Sequence, residues 1–397
     1  MWISKKQFRG HRFTRGGGGR PIKTVPKNVL LAAIEQSKRN IPEKSIADDA
    51  SVSVHTFSDF PLNSMLQSNI KEKGYITPTP IQQRVIPAIL SHQDIIGTAN
   101  TGTGKTAAFL IPLIQKISLD RVQRVLIVVP TRELAVQTTK EVRDLSRGLS
   151  IRTAMLIGGA SEWRQAQDVA RDPHVLIATP GRLKDFIENR HLRLSGFRNV
   201  VLDEADRMVD IGFIKDINYF ISLLPKVRQS LFFSATISGK VEEIMTNFVK
   251  NPIRIQVATQ QIATTISQDV VRVASDKTKL DTLHDMLKDK TFEKVLVFGR
   301  TKHSVQRLSD ELAKRGIKSG AIHGNKRQNQ RQYVLEQFVR SDIQVLFATD
   351  VASRGLDIPN VSHVINYDLP ETMDDYTHRI GRTGRADKQG IALTFID

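Results

Sequence analysis

Asp94-Ile95-Ile96-Gly97-Thr98-Ala99-Asn100-Thr101-Gly102-Thr103-Gly104-Lys105-Thr106-Ala107-Ala108-Phe109-Leu110 reads as a short apolar strand, a glycine-rich loop and the start of an apolar helix. Backbone N–H groups of such a loop can wrap phosphate oxygens. Glycines let the chain turn tightly against the anion, and the helix N-terminus faces it. In this pattern Lys105 reaches the β- and γ-phosphates and the Thr106 hydroxyl ligates Mg²⁺. Ala99 stands where the strict pattern has its first glycine, adding one methyl at the start of the loop. Ala99, Thr101, Gly102, Thr103, Gly104, Lys105 and Thr106 are therefore the candidate phosphate-binding residues.

A strand that hands its ligand to a following helix is the building block of a doubly wound sheet. Further apolar strand candidates follow at Val125–Val129, Val175–Ala178, Val200–Leu202 and Leu231–Phe233, each succeeded by a polar or glycine-rich element. A second series runs Val295–Phe298, Ala321–Ile322, Val345–Ala348, Val364–Asn366 and Leu393–Ile396. Strands alternating with helices predict two α/β units with parallel sheets, whose ligands gather at the strands' carboxyl ends. The expected division is a basic extension over 1–55, a first unit over 56–257, a linker over 258–267 and a second unit over 268–397. The linker is a Gln-, Thr- and Ser-rich stretch without a clear period.

At a strand end of the first unit, Val200-Val201-Leu202 runs into Asp203-Glu204-Ala205-Asp206. An acidic tetrapeptide alone is ordinary helix-start chemistry, because carboxylates favour the first turn. With a phosphate loop upstream it gains a second meaning. Asp203 can hold Mg²⁺, partly through water, and Glu204 can orient and deprotonate a water attacking the γ-phosphate.

Composition narrows the partners. The chain has 397 residues, 40% of them hydrophobic and 25% charged, enough for two cores. Lys and Arg number 58 against 41 Asp and Glu, a net charge of +17 that points to a polyanion. No apolar run is long enough to span a membrane, and Met1-Trp2-Ile3-Ser4-Lys5-Lys6 lacks the apolar core of a signal peptide. The absence of cysteine removes disulfides and thiolate chemistry and is compatible with a reducing cytoplasm. In residues 1–55, eight Lys and Arg residues from Lys5 to Lys27 precede the first acid, Glu35, around the run Gly16 to Gly19. That extension is expected to be disordered, with a helix compatible around Val29 to Ser37. Its Arg, Gly, Phe8 and Phe13 are similar to arginine-glycine tails that hold single-stranded RNA, although a solubilising leader has the same composition.

The strand ends now read Pro130-Thr131-Arg132-Glu133-Leu134-Ala135, Gly158-Gly159, Thr179-Pro180-Gly181-Arg182, Asp203-Glu204-Ala205-Asp206 and Ser234-Ala235-Thr236. In the second unit they read Ala348-Thr349-Asp350-Val351-Ala352-Ser353-Arg354-Gly355-Leu356-Asp357 and His378-Arg379-Ile380-Gly381-Arg382-Thr383-Gly384-Arg385. This series resembles the DEAD-box ATP-dependent RNA helicases of superfamily 2, built from two tandem RecA-like domains, and the wording is nearest the bacterial RhlE-like group. Phe57, Tyr75 and Pro78-Thr79-Pro80-Ile81-Gln82 are similar to the family's adenine-reading motif. The Gln82 amide offers donor and acceptor to an adenine edge, and Tyr75 a stacking face.

The resemblance implies ATP and Mg²⁺ as cofactors and assigns further roles. Lys105, Asp203, Glu204, Arg382 and Arg385 would be catalytic. The two arginines would arrive from the second unit as fingers of a kind worth about 10³ to 10⁵ in rate in related chemistry. Asp206, Ser234, Thr236 and His378 would couple the nucleotide to the RNA, His378 being equally open to a structural hydrogen bond. Gly355 and Asp357 would meet the nucleotide. Arg132, Gly159, Thr179, Gly181 and Arg182, with Gly324, Gln328, Arg331, Thr349, Asp350 and Arg354, would hold RNA by phosphate and sugar, independent of sequence. Trp163 reads as a partly buried helix aromatic rather than a stacking base partner, and Phe298 as core.

The implied activity is RNA-stimulated ATP hydrolysis coupled to local, non-processive unwinding. An ATP-dependent RNA clamp would share every motif, whereas Gln82 and Tyr75 disfavour a DNA helicase. A cytoplasmic monomer working with the ribosome or RNA-decay machinery is the corresponding expectation. The chain stops at Asp397, just past the last expected strand. Substrate choice is therefore expected from the leader or from partners.

Overall fold

The computed structural model describes residues 24–39, 56–99, 102–257, 266–353, 358–384 and 389–396, organised by two parallel sheets. The first holds β1 (Ile95–Thr98), β2 (Val125–Val128), β3 (Thr153–Leu156), β4 (Val175–Ala178), β5 (Asn199–Leu202), β6 (Gln229–Ser234) and β7 (Ile253–Gln256). Their order is β3-β4-β2-β5-β6-β1-β7. The second holds β8 (Ile266–Arg272), β9 (Val295–Phe298), β10 (Ser319–Ile322), β11 (Val345–Ala348), β12 (His363–Asn366) and β13 (Gly390–Ile396), ordered β10-β11-β9-β12-β13-β8.

The central strands are continuous apolar runs because helices cover both faces of each sheet. Along β2, Val125 and Ile127 enter one core while Leu126 and Val128 enter the other. Ile127 sits in register with Ile177 of β4 and Val201 of β5, so each layer of the core is built across strands. In the second sheet Leu296 and Phe298 face one core, and Val295 and Val297 the opposite one. Phe298 is buried core, as expected.

Two expectations change at the unit boundaries. Strand β8 begins at Ile266, inside the stretch read as linker through 267, because Ile266 and Val270 pack while Ser267 and Asp269 face out beside β13. Period-two alternation on an edge strand is a weak signal when the outward residues are Ser267 and Asp269 and the packed face itself includes a polar residue, Gln268, which accepts the Tyr376 hydroxyl.

The second change concerns the extension. Helix Lys27–Arg39 lies outside the first unit and belongs to the second core, where Val25, Leu30 and Ile34 pack against Ile266, Tyr376, Ile380 and Ala392. The Val25 N–H also donates to the Pro370 carbonyl at 3.1 Å. Burying Leu30 and Ile34 contributes about 1.5–3 kcal/mol each. The chain thus passes from second unit to first and back again. The remaining extension, 1–23 and 40–55, and the linker residues 258–265 lie outside the described residues. Among the described residues no helix is long and apolar enough to cross a membrane.

Candidate active site

The loop after β1 turns into helix Lys105–Leu119 through Gly102 and Gly104, at φ of 88° and 90°. Both are left-handed conformations that cost a side-chain-bearing residue about 1–2 kcal/mol. At Gly104 a Cβ would also meet Gln82 Nε2 at 2.6 Å. Gln82 is tied into the loop, its Nε2 donating to the Gly104 carbonyl at 3.2 Å and its Oε1 accepting the Thr79 N–H at 2.9 Å. The buried Lys105 ammonium donates to the Ala99 carbonyl at 2.6 Å. Ala99 itself needs no positive φ, so its methyl is accommodated. Tyr75 stacks on Phe57 at 6.3 Å, and its hydroxyl donates to Glu141 at 2.7 Å. Thr103 and Thr106 lie in the same loop and helix start; Thr101 is outside the described residues.

Strand β5, two places away in the sheet, delivers the acids. Asp203, Glu204 and Asp206 are all buried, and Glu204 caps helix Ala205–Ile211 at φ 52°, a conformation uncommon for a non-glycine residue. Burial pushes the Asp203 carboxyl up to about 6, with Glu204 and Asp206 adding repulsion and Lys105 opposing it. Burial acts on Glu204 too, but the positive charges of Arg207, Lys105 and Arg382 outweigh it and hold that carboxyl below its ordinary value. Glu204 is also ion-paired to buried Arg207, whose importance the sequence did not signal. Asp206 links this cluster to the end of β6: its Oδ2 accepts the N–H groups of Ala235 at 3.0 Å and Thr236 at 2.9 Å and the Thr236 hydroxyl at 3.2 Å. Ser234 Oγ accepts the Asp206 N–H at 3.2 Å. The three expected coupling residues of the first unit are therefore in direct contact.

The second unit closes the cleft. Lys105, Glu204, Asp206, Arg207 and Ala235 line it from one side, and His378 and Arg382 from the other. Arg382 is buried, and its Nε donates to the His378 carbonyl at 3.2 Å. Arg385, Arg354, Gly355 and Asp357 lie outside the described residues.

The other candidates occupy the same carboxyl edge of the first sheet, beyond β2, β4 and β3. Arg132 starts helix Arg132–Leu145, with its guanidinium over Gly158 and Gly159; a Cβ on Gly159, at φ 78°, would meet Arg132 Nη1 at 2.6 Å. Thr179 caps helix Pro180–Glu188, and Gly181 is open to solvent. Arg182 donates to the carbonyls of Ile157 and Ala160, both at 3.3 Å, and pairs with Glu162 at 2.9 Å. Of the second-unit candidates, Gly324 is exposed and Thr349 half-buried. Asp350 is engaged in a two-point ion pair with Arg379, at 2.6 and 2.7 Å. Gln328 and Arg331 reach across to the first unit: Glu133 accepts from Gln328 Nε2 at 3.3 Å and pairs with Arg331 at 2.9 Å. Glu133 and Arg379 were not singled out by sequence, because their partners are distant in the chain. Trp163 departs from expectation: it is 68% exposed.

The family described as DEAD/DEAH box helicase matches residues 79–244, and the helicase conserved C-terminal domain matches residues 278–387. The DEAD-box ATP-dependent RNA helicase CshA of Bacillus licheniformis is 43% identical over 342 residues, covering 86% of this chain and 70% of that protein. CshA of Bacillus subtilis is 42% identical, with 86% and 69% covered. Among solved structures, Mss116p bound to ssRNA and AMP-PNP matches with a TM-score of 0.78 at 30% identity, over 88% of this chain and 76% of that one. S. cerevisiae Dbp5 bound to RNA and ADP BeF3 matches at 0.77 and 29% identity, over 86% and 89%. Two parallel-sheet units, one carrying the phosphate loop and acids and the other an arginine in the same cleft, define a tandem RecA-like nucleotide hydrolase. The chain belongs to the DEAD-box ATP-dependent RNA helicases.

Proposed function

We propose that the chain couples RNA-stimulated ATP hydrolysis to local, non-processive separation of RNA duplexes or remodelling of RNA–protein complexes. The observation that carries this reading is the shared cleft: the charge of Arg382, from the second unit, acts on Glu204 of the first, beside Lys105. A hydrolysis site completed by two units is active only when they are together. Residues on the neighbouring strand ends, Arg132, Gly159, Thr179, Gly181 and Arg182, with Gly324, Thr349 and Arg354, would hold a strand's phosphates and so bias the same joining. Gln328 and Arg331 would act there through Glu133.

In this reading Lys105 holds the phosphates, Glu204 takes the proton of the attacking water, and Arg382 and Arg385 neutralise charge developing on the transferred group. Gln82, Tyr75 and Phe57 would select adenine, and Asp206 with Ser234, Thr236 and His378 would pass the nucleotide state to the RNA side. Thr106 and Asp203 are hard oxygen donors of the kind Mg²⁺ takes one or two of while keeping its waters. Among the described residues no cluster of three or more acids and histidines forms an all-protein metal cage. Bound with ATP, the ion would neutralise phosphate charge. A monomer in the cytoplasm, meeting RNA of the ribosome or of decay complexes, fits the basic charge of +17 and the absence of cysteine.

Strand displacement tests the reading against an RNA clamp. With ATP, a short duplex bearing a single-stranded tail should separate. A clamp would instead retain RNA with a non-hydrolysable nucleotide and leave duplexes intact.

A further inference from the structure

We propose that Trp163 is a stacking platform for one base of the bound single strand, extending the phosphate-binding edge of the first unit; this rests on the RNA reading above. Trp163 sits in the first turn of helix Glu162–Ala170, which follows β3 and therefore opens at the sheet's carboxyl edge. An indole is a large apolar surface that proteins mostly cover, yet this one is 68% exposed. Among the other exposed apolar side chains of this unit, Leu119, Val122 and Val227 precede β2 and β6 and so lie at the opposite, amino edge, whereas Ile237, 41% exposed, follows β6 at the carboxyl edge.

The surroundings select the occupant. Four residues before Trp163 is Gly159, under the Arg132 guanidinium. Arg182 donates to the Ala160 carbonyl at 3.3 Å, and exposed Arg164 follows Trp163 in the chain. The adjacent acid, Glu162, is occupied by Arg182 at 2.9 Å. An exposed aromatic face on a segment that carries Arg164 and is met by Arg132 at Gly159 and by Arg182 at Ala160 matches a ligand that alternates phosphates with flat bases, and an acidic peptide would leave the indole face unused. Every base has a π-face, so such a contact adds grip without reading sequence.

The platform is also rigid. On the opposite side of the helix Gln165 is buried, accepting the Ile157 N–H at 2.8 Å and donating to the Ile157 carbonyl at 3.2 Å, and Val169 packs in the core. The helix that carries Trp163 is thereby fixed to the end of β3, and little ordering remains to be done on binding.

The chain has two tryptophans, Trp2 and Trp163. In full-length protein carrying Trp2→Phe, Trp163 is the sole indole. Its emission should be quenched on titration with oligouridine and a non-hydrolysable ATP analogue, in step with the anisotropy of a labelled oligouridine. Trp163→Ala should weaken oligouridine binding roughly five- to hundredfold, and Trp163→Phe should restore most of it. RNA binding seen by anisotropy with constant indole emission, or with Trp163→Ala at wild-type affinity, overturns the proposal and leaves the helicase reading standing. Absence of RNA binding in every chain overturns the helicase reading itself, and the platform with it.

Discussion

Replacing Glu133 with alanine removes one half of an ion pair that joins the two units. Glu133 and Arg331 lie 2.9 Å apart with side chains only 2% and 8% exposed, and Gln328 adds a 3.3 Å hydrogen bond to the same carboxylate. Without Glu133 the Arg331 guanidinium stays buried beside Arg132, whose charge already opposes it. Breaking a buried pair from one side costs about 3–5 kcal/mol. Both groups would meet water if the units separated, so nearly all of that cost falls on the joined state. The joining equilibrium should drop on the order of a hundred- to several-thousandfold. The assay is inter-unit energy transfer between dyes on the two sheets, read with RNA and a non-hydrolysable nucleotide, alongside RNA-stimulated ATP turnover. Glu133→Ala should lose the high-transfer state and at least tenfold in turnover, while its circular-dichroism melt stays near wild type because neither core is touched. Glu133→Gln, which retains a partner for Gln328 but no charge, should fall between. Wild-type energy transfer and turnover in Glu133→Ala would refute the reasoning.

Three further outcomes follow from burial and backbone geometry. Asp203 titrates at about 6 in the fold against 3.8 as a free side chain, so its ionisation costs stability as pH rises through that window. Thermal melts of nucleotide-free Asp203→Asn should show a stability gain of about 3 kcal/mol above pH 6 that shrinks towards zero near pH 4; a gain independent of pH would contradict the burial argument. Leu30→Ala should cost about 2–5 kcal/mol and speed proteolysis of the second unit, and an unchanged melt would mean that helix Lys27–Arg39 does not pack there. Gly104→Ala places a methyl 2.6 Å from Gln82 Nε2 at φ 90°. It should lower ATP affinity at least tenfold by calorimetry, from about 1–2 kcal/mol of backbone strain plus the contact; wild-type affinity would remove Gln82 from the loop's support.

What the sequence reveals and what it hides divide along local and distant contacts. Val-Leu-Ile-Val at 125–128 and Val-Leu-Val-Phe at 295–298 announce themselves, since a strand covered on both faces is apolar throughout. Strand β3, Thr-Ala-Met-Leu, buries only alternate residues at an edge and is silent, as is β8 with its Ser, Gln and Asp. The phosphate loop and the Asp203–Asp206 run are legible because each does its work within a few residues. Glu133 on Arg331 and Asp350 on Arg379 become visible only when folding brings their partners together. The docking of Leu30 and Ile34 on the second core is the extreme case: their partners begin at Ile266, with the whole first sheet intervening in the chain. Trp163 fails for another reason, since composition says that Trp is mostly covered and nothing local says that this one is not.

The most direct test of the central claim is ATP turnover by the intact chain and by Glu204→Gln, each measured with RNA, with DNA of the same length and with neither. RNA should accelerate turnover in the intact chain and DNA should not, whereas Glu204→Gln should bind nucleotide and RNA yet hydrolyse almost none. Turnover that is indifferent to RNA, or that survives in Glu204→Gln, would contradict the account.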